Sequence, residues 1–60
     1  MTAPDRRPVR QRLAEHYSAE ELRLFLAAAQ PALGGAVPAQ LIANGRAEEV
    51  HVLIDRMEGA

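Results

Sequence analysis

The side chains that could perform acid–base, nucleophilic or metal chemistry in this sequence are few and form no recognisable constellation. His16 and His51 are far apart in the chain, and neither belongs to an H-x-x-x-H or H-E-x-x-H pair. The sequence has no cysteine, so no thiolate can bind zinc. Ser18 is the single serine, and its position favours helix capping, which leaves no Ser/His/Asp triad. The sequence therefore predicts a protein that is not an enzyme, without catalytic residues, a metal site or a cofactor.

Adjacent acidic residues and adjacent glycines have structural interpretations. The glutamates of the pairs 20–21 and 48–49 diverge by about 100° around a helix, so the carboxylates of one pair do not share a proton. Each pair lies in the first turn of a predicted helix, where negative charge is favourable. Gly34 and Gly35 match neither the dinucleotide-binding nor the Walker pattern, and no predicted strand precedes them. We interpret the acids as helix-start residues and the glycines as part of a loop.

Four arginines near the N-terminus are the remaining feature with a chemical interpretation. Each of them could contact a phosphate and contribute to a salt-dependent affinity for nucleic acid. However, the formal net charge is −1, and no aromatic residues are interleaved with the arginines for base stacking. A small homodimeric DNA-associated regulator, phage or chromosomal, is therefore the alternative hypothesis. Its nucleic-acid contacts would be Arg6, Arg7, Arg10 and Arg12.

The length and composition of the chain limit the core that can position these residues. With 60 residues, 48% of them hydrophobic, the sequence predicts one small domain. Below roughly 70–80 residues a core alone rarely supplies more than a few kcal/mol, and without cysteines no disulfide adds to it. We therefore expect a second chain, either another copy or a different protein, to complete the domain. The sequence contains neither a membrane-length apolar run nor a secretory signal pattern, which favours a cytoplasmic protein that does not associate with membranes.

Local signals predict an all-α domain of four short helices over residues 9–60, preceded by a flexible basic arm over residues 1–8. Ser18 and Glu21 have the spacing of a capping box at the start of the second helix. Pro31 ends that helix because the residue before a proline is disfavoured in the helical conformation. The helices are predicted at about 8–16, 18–30, 38–43 and 46–58.

A loop with two glycines connects the second and third helices and is expected to pack against the core. Leu33 precedes Gly34 and Gly35 and is predicted to point inward from this loop. Pro38 then opens the third helix, where its missing N–H has no cost. Gly45 ends that helix in the left-handed conformation.

Apolar residues at helical spacing predict the buried faces of the second and fourth helices. These buried stripes are Leu22, Phe25, Leu26 and Ala29, and Val50, Leu53, Ile54 and Met57. Further apolar residues lie off the stripes, and a helix that is apolar on two faces is buried or paired. We therefore predict a surface for a partner at the C-terminal end of the fourth helix. Leu24 and Ala28 on the second helix belong either to the same surface or to a contact between two copies of the chain. The predicted partner-binding residues are Leu24, Ala28, Val52, Arg56, Met57 and Ala60.

A longer pattern extends over residues 17–59. Its residues are Phe25-Leu26, Pro31-Ala32-Leu33-Gly34-Gly35, Pro38, Leu41-Ile42, Gly45, Val50, Leu53-Ile54, Met57 and Gly59. This combination resembles the toxin-binding domain of the Xre/MbcA/ParS antitoxins, whose motif has the form W-L, then P-x-L-G-G-x-x-P-x-x-L-[LI]-x-x-G, then a V-x-x-L-[LI] helix. Two positions depart from the family pattern: Phe25 stands where Trp is common, and Val37 stands where a capping Thr or Ser is common.

The resemblance implies an all-helical module that binds a RES-domain toxin, an enzyme that degrades NAD. In that family the C-terminal region of the antitoxin lies against the toxin's active site or in its mouth. Full-length members also carry an N-terminal DNA-binding region that represses their own operon. Residues 1–16 are too few to supply that region, so autorepression is not expected. The leading hypothesis is a cytoplasmic, antitoxin-like module that neutralises a RES-type toxin and forms homo-oligomers.

Overall fold

The computed structural model describes residues 3–59 and contains four α-helices in that part of the chain. The helices are α1 (Val9–Leu13), α2 (Ala19–Ala27), α3 (Pro38–Ala43) and α4 (Ala47–Met57), with a 3₁₀ turn at Pro31–Leu33 between α2 and α3. The predicted all-α fold class with four short helices is confirmed.

Helix α4 lies at the centre of the packing. It contacts α3, α1 and the 3₁₀ turn, whereas α2 packs mainly against α3. The two central side chains of α4, Val50 and Ile54, are completely buried. Burial of apolar surface by these few residues is the main source of stability in a domain this small. The buried hydrophobic residues are Val9, Leu13, Leu26, Leu41, Val50 and Ile54.

The predicted capping box begins α2. The Ser18 hydroxyl accepts a hydrogen bond from the Glu21 backbone N–H at 3.2 Å. The Glu21 carboxylate in turn accepts one from the Ser18 backbone N–H at 2.9 Å. These two bonds satisfy two backbone donors that have no partner within the helix.

Helix α2 ends at Ala27, three residues before the predicted end at about Gln30. Gln30 is extended before Pro31, and its backbone N–H donates to the Ala36 carbonyl at 3.0 Å in an isolated bridge. Its side-chain amide donates to the Phe25 carbonyl at 3.0 Å, so Gln30 caps α2 instead of extending it. Since Ala29 lies beyond the helix, its predicted burial is wrong, and it is exposed.

The first and last helices also differ from prediction at their ends. Helix α1 ends at Leu13, and residues 14–16 form turns, in which the His16 N–H donates to the Leu13 carbonyl at 2.9 Å. The following ring, Tyr17, stacks on Phe25 with their centroids 5.6 Å apart. Met57, predicted on the buried stripe of α4, is 40% exposed because it is the last residue of the helix, at the edge of the core.

The two-glycine loop packs as predicted. Gly34 and Gly35 have φ angles of 68° and 86°, which residues with a side chain rarely adopt. These conformations reverse the chain, so Leu33 and Ala36 pack against the core while half-buried. Pro38, at the first position of α3, is buried.

Candidate protein-binding surface

A groove between α4 and the 3₁₀ turn is the main concave feature that contains predicted partner-binding residues. It encloses about 270 Å³. Val52 and Leu53 form its α4 side, and Glu49 and Arg56 flank them along the helix. These four positions have the i, i+3, i+4, i+7 spacing of one helix face. The lining residues are Ala32, Leu33, Glu49, Val52, Leu53 and Arg56.

The apolar part of this surface is incompletely covered. Val52 is 38% exposed and Met57 is 40% exposed, although both lie on the helix that supplies the centre of the core. Leu53 is half-buried beside them. In protein interfaces, apolar side chains that lose their water when the partner binds, and that are surrounded by polar groups, act as anchors. The groove therefore has the composition of a protein-binding site.

The charges at the two ends of the groove differ in how they are balanced. The Glu49 carboxylate accepts a hydrogen bond from Arg46 Nε at 2.6 Å, and both side chains are solvent-exposed. Arg56 is exposed and makes no ion pair with any of residues 3–59. Among residues 3–59, the positive charge at the C-terminal end of α4 in this groove therefore has no acidic partner.

The structure brings together part of the predicted partner surface. Val52 and Arg56 share the groove, and Met57 follows them on the exposed side of α4. Leu24 is 54% exposed on α2, and Ala28 is exposed where that helix ends. Since α2 packs mainly against α3, these two residues lie outside the α4 groove. Ala60 lies outside the described residues.

Arg12 does not occupy the position expected of a nucleic-acid contact, because its side chain is completely buried. Arg12 Nη2 donates to Asp55 Oδ1 at 2.7 Å and to Glu58 Oε1 at 3.0 Å, both near the end of α4. Its Nη1 lies 2.9 Å from His51 Nδ1, also on α4. The predicted contact with phosphate is therefore wrong for Arg12, since the guanidinium is enclosed by α1 and α4.

The charges in this network reinforce one another. Burial lowers the pKa of Arg12, but hydrogen bonds to Asp55 and Glu58 outweigh it and hold that pKa above its ordinary value. The hydrogen bond from Arg12 lowers the pKa of Asp55. Hydrogen bonds from His16 and Arg12 lower the pKa of Glu58. Arg12 Nε is the one buried side-chain donor without a hydrogen bond among the described residues, and it lies 3.6 Å from Asp5 Oδ2.

Two of the other predicted nucleic-acid contacts are paired with acids. Arg6 donates to both carboxylate oxygens of Glu48, at 2.9 and 2.8 Å, and also lies 3.3 Å from Asp55. Arg7 pairs with Asp5 at 2.7 Å and with Glu15 at 3.0 Å.

Arg10, in contrast, is exposed and forms no ion pair with residues 3–59. Arg6, Arg7, Arg10 and Arg12 thus do not form one uncompensated basic patch, and DNA binding stays a prediction that this arrangement does not favour.

A second cavity, of about 260 Å³, lies where the start of α1 meets α3 and α4. Four of its six lining side chains are apolar, and buried His51 forms part of its wall. It contains none of the predicted partner-binding residues and no large exposed aliphatic side chain like Val52. We therefore regard the α4 groove as the stronger candidate. The lining residues are Pro8, Val9, Arg10, Ile42, Ala47 and His51.

The histidines occupy separate structural positions. His16 Nε2 lies 2.9 Å from Glu58 Oε2, whereas His51 faces Arg12. Within residues 3–59, no group of three or more histidine, aspartate or glutamate side chains has the geometry to hold a metal ion.

The buried arginine was missed by sequence reasoning, although a signal was present. Val9, Arg12 and Leu13 have i, i+3, i+4 spacing, which places Arg12 on the buried face of α1. Along α4 and the residue that follows it, the acceptors His51, Asp55 and Glu58 repeat at similar spacing. A basic residue on an apolar stripe, matched by acids on another helix, indicates an internal ion pair.

Comparisons with known proteins found no relative of this chain. No protein-family model, no curated protein and no solved structure matches this chain. Among the helices of residues 3–59, none has the length and apolar character needed to cross a membrane.

Proposed function

We propose that this chain is a non-enzymatic, antitoxin-like interaction module that binds and neutralises a RES-type, NAD-degrading toxin in the cytoplasm. The observation that supports this most is the exposed apolar face of α4 beside a groove, with Val52 at its centre and the unbalanced charge of Arg56 at one end. A domain this small gains stability when such a face is covered by another chain.

The sequence resemblance supports the same surface. Ala32 and Leu33 belong to the P-x-L-G-G segment that resembles the antitoxin family, and both line the groove. The left-handed glycines that follow them set the position of this wall. The P-x-L-G-G segment and α4, which both belong to the pattern that resembles the family, thus meet at one site.

The chemistry of the groove indicates what the toxin must offer. An apolar side chain would fill the space beside Val52 and Leu53, and a carboxylate would pair with Arg56. In this proposal α4 provides the main contact, while Leu24 and Ala28 on α2 provide a smaller second contact.

Co-expression with a RES-type toxin tests the proposal. We expect the wild-type chain to restore growth and cellular NAD and to co-purify with the toxin. Val52→Asp places a charge in the interface and should abolish all three effects, whereas Leu24→Asp, a matched change at an exposed leucine, should weaken binding much less. Failure of the wild-type chain to rescue growth or to co-purify with the toxin would contradict the proposal.

A further inference from the structure

The groove face of α4 has a charge pattern that is complementary to itself. Glu49 and Arg56 lie two turns apart, about 10 Å along the helix, on the same face. Val52 and Leu53 lie midway between them. The face therefore has an acid at one end, an apolar centre and a base at the other end.

We propose that this face pairs with the same face of a second copy of the chain, with the two α4 helices antiparallel about a two-fold axis near Val52 and Leu53. In this register Glu49 of each copy faces Arg56 of the other, so two equivalent ion pairs form. The apolar centres meet on the axis. A two-fold contact of this kind uses one patch twice and closes, which produces a dimer.

The charges on this face favour a second copy of the chain as the partner, and they favour the antiparallel orientation of the two helices. A parallel arrangement would place Glu49 against Glu49 and Arg56 against Arg56, and like charges across an interface are strongly unfavourable. Only the antiparallel arrangement leaves Arg56, which has no ion pair within residues 3–59, opposite an acid. The intrachain pair between Arg46 and Glu49 is exposed and therefore weak, and a carboxylate can accept from both arginines.

The dimer would also compete with the toxin for the chain. Only this competition rests on the proposed function; the pairing of two copies does not. Since the same face contacts the toxin, the homodimer and the toxin complex exclude each other. The free chain would then keep its apolar α4 face covered until the toxin replaces the second copy.

Charge reversal in the chain of 60 residues tests the pairing. Glu49→Arg alone gives each copy two bases on the face, and Arg56→Glu alone gives two acids, so each should weaken the dimer by at least about tenfold. An equimolar mixture of the two variants restores both opposite-charge pairs and should dimerise like the wild type. Sedimentation equilibrium measures each association constant, and circular dichroism checks that each variant is folded.

Glu20→Arg is the matched control. Glu20 lies in the first turn of α2 and pairs with Arg23, three residues away. Glu49 likewise lies in the first turn of α4 and pairs with Arg46, three residues away. This variant loses the same local interactions, and its dimerisation should equal that of the wild type.

Three results would overturn the proposal: a wild-type chain that remains monomeric at millimolar concentration, a dimer that survives both single reversals, or a mixture that remains monomeric. A monomer that still binds the toxin would contradict the dimer while leaving the proposed function intact. A dimer that has the predicted charge dependence but binds no toxin would contradict the proposed function while leaving the dimer proposal intact.

Discussion

The Arg12 guanidinium in α1 donates a hydrogen bond to His51 Nδ1 in α4 over 2.9 Å in the interior of the domain. Because arginine has no acceptor, His51 must be in the neutral form with its proton on Nε2. The same guanidinium donates to Asp55 on α4 and to Glu58, which directly follows that helix. In a chain without cysteine, this network links the N-terminal helix to the central helix.

The first prediction concerns the contribution of Arg12 to stability. Arg12→Ala removes the hydrogen bonds to α4 and leaves a cavity, and we expect a loss of about 3 kcal/mol in the free energy of unfolding. That is a large part of the roughly 3–9 kcal/mol expected for a domain of this length. Urea unfolding followed by circular dichroism measures the change. Arg10→Ala, at an exposed arginine in the same helix, should change stability by less than about 0.5 kcal/mol. Equal effects of the two variants would argue against the network.

The second prediction concerns the loss of stability in acid. Burial, followed by the charges of Arg12 and Arg6, lowers the pKa of His51 below its ordinary value of 6.5, while Glu48 and Asp55 act in the opposite direction. The unfolded chain therefore binds this proton more readily, so stability is fully present above pH 6.5 and falls as the pH drops through the lowered pKa. A second loss of stability follows below about pH 4.5, as the carboxylates of Glu58 and Asp55, whose pKa values are lowered in the folded state, are protonated.

Unfolding experiments across this pH range separate the two losses. His51→Gln keeps an acceptor for Arg12 but does not titrate, so the first loss should disappear and the second should remain. His16→Gln, at a histidine outside the buried site, should retain the first loss. If the stability of the His51→Gln chain had the wild-type dependence on pH above pH 4.5, His51 would not be the cause of the first loss of stability.

The third prediction concerns helix caps. Ser18→Ala removes the hydroxyl that accepts from the Glu21 N–H and should cost about 1 kcal/mol. Val37 precedes α3 without a side-chain cap, so Val37→Thr should stabilise the domain by about 0.5–1 kcal/mol. Thermal unfolding of the two variants should show shifts in opposite directions. A shift in the same direction would mean that capping is not the cause.

Local signals explain why much of the fold could be predicted from the sequence. The capping box at Ser18 and the proline that starts α3 act within a few residues, and both helix starts lie close to the predicted positions. The exposure of Val52 followed from its place on the helix. These features depend on nearest neighbours and helical periodicity, which the sequence displays directly.

Features that depend on distant contacts were not predicted. Arg12 joins residues 39 to 46 positions away, so its burial arises only when α1 packs on α4. The early end of α2 depends on Gln30 pairing with Ala36 across the glycine loop. The groove, too, requires the 3₁₀ turn to lie beside α4, which no local pattern specified.

Titration of a purified RES-type toxin with the purified chain, followed by calorimetry and by the rate of NAD consumption, tests the central claim most directly. We expect saturable binding with matching inhibition of the toxin. Arg56→Glu should weaken both at least about tenfold, whereas Arg23→Glu, at an exposed arginine on α2, should leave them unchanged. Absence of binding, or Arg56→Glu inhibition equal to that of the wild type, would contradict the assignment of α4 as the toxin-binding surface.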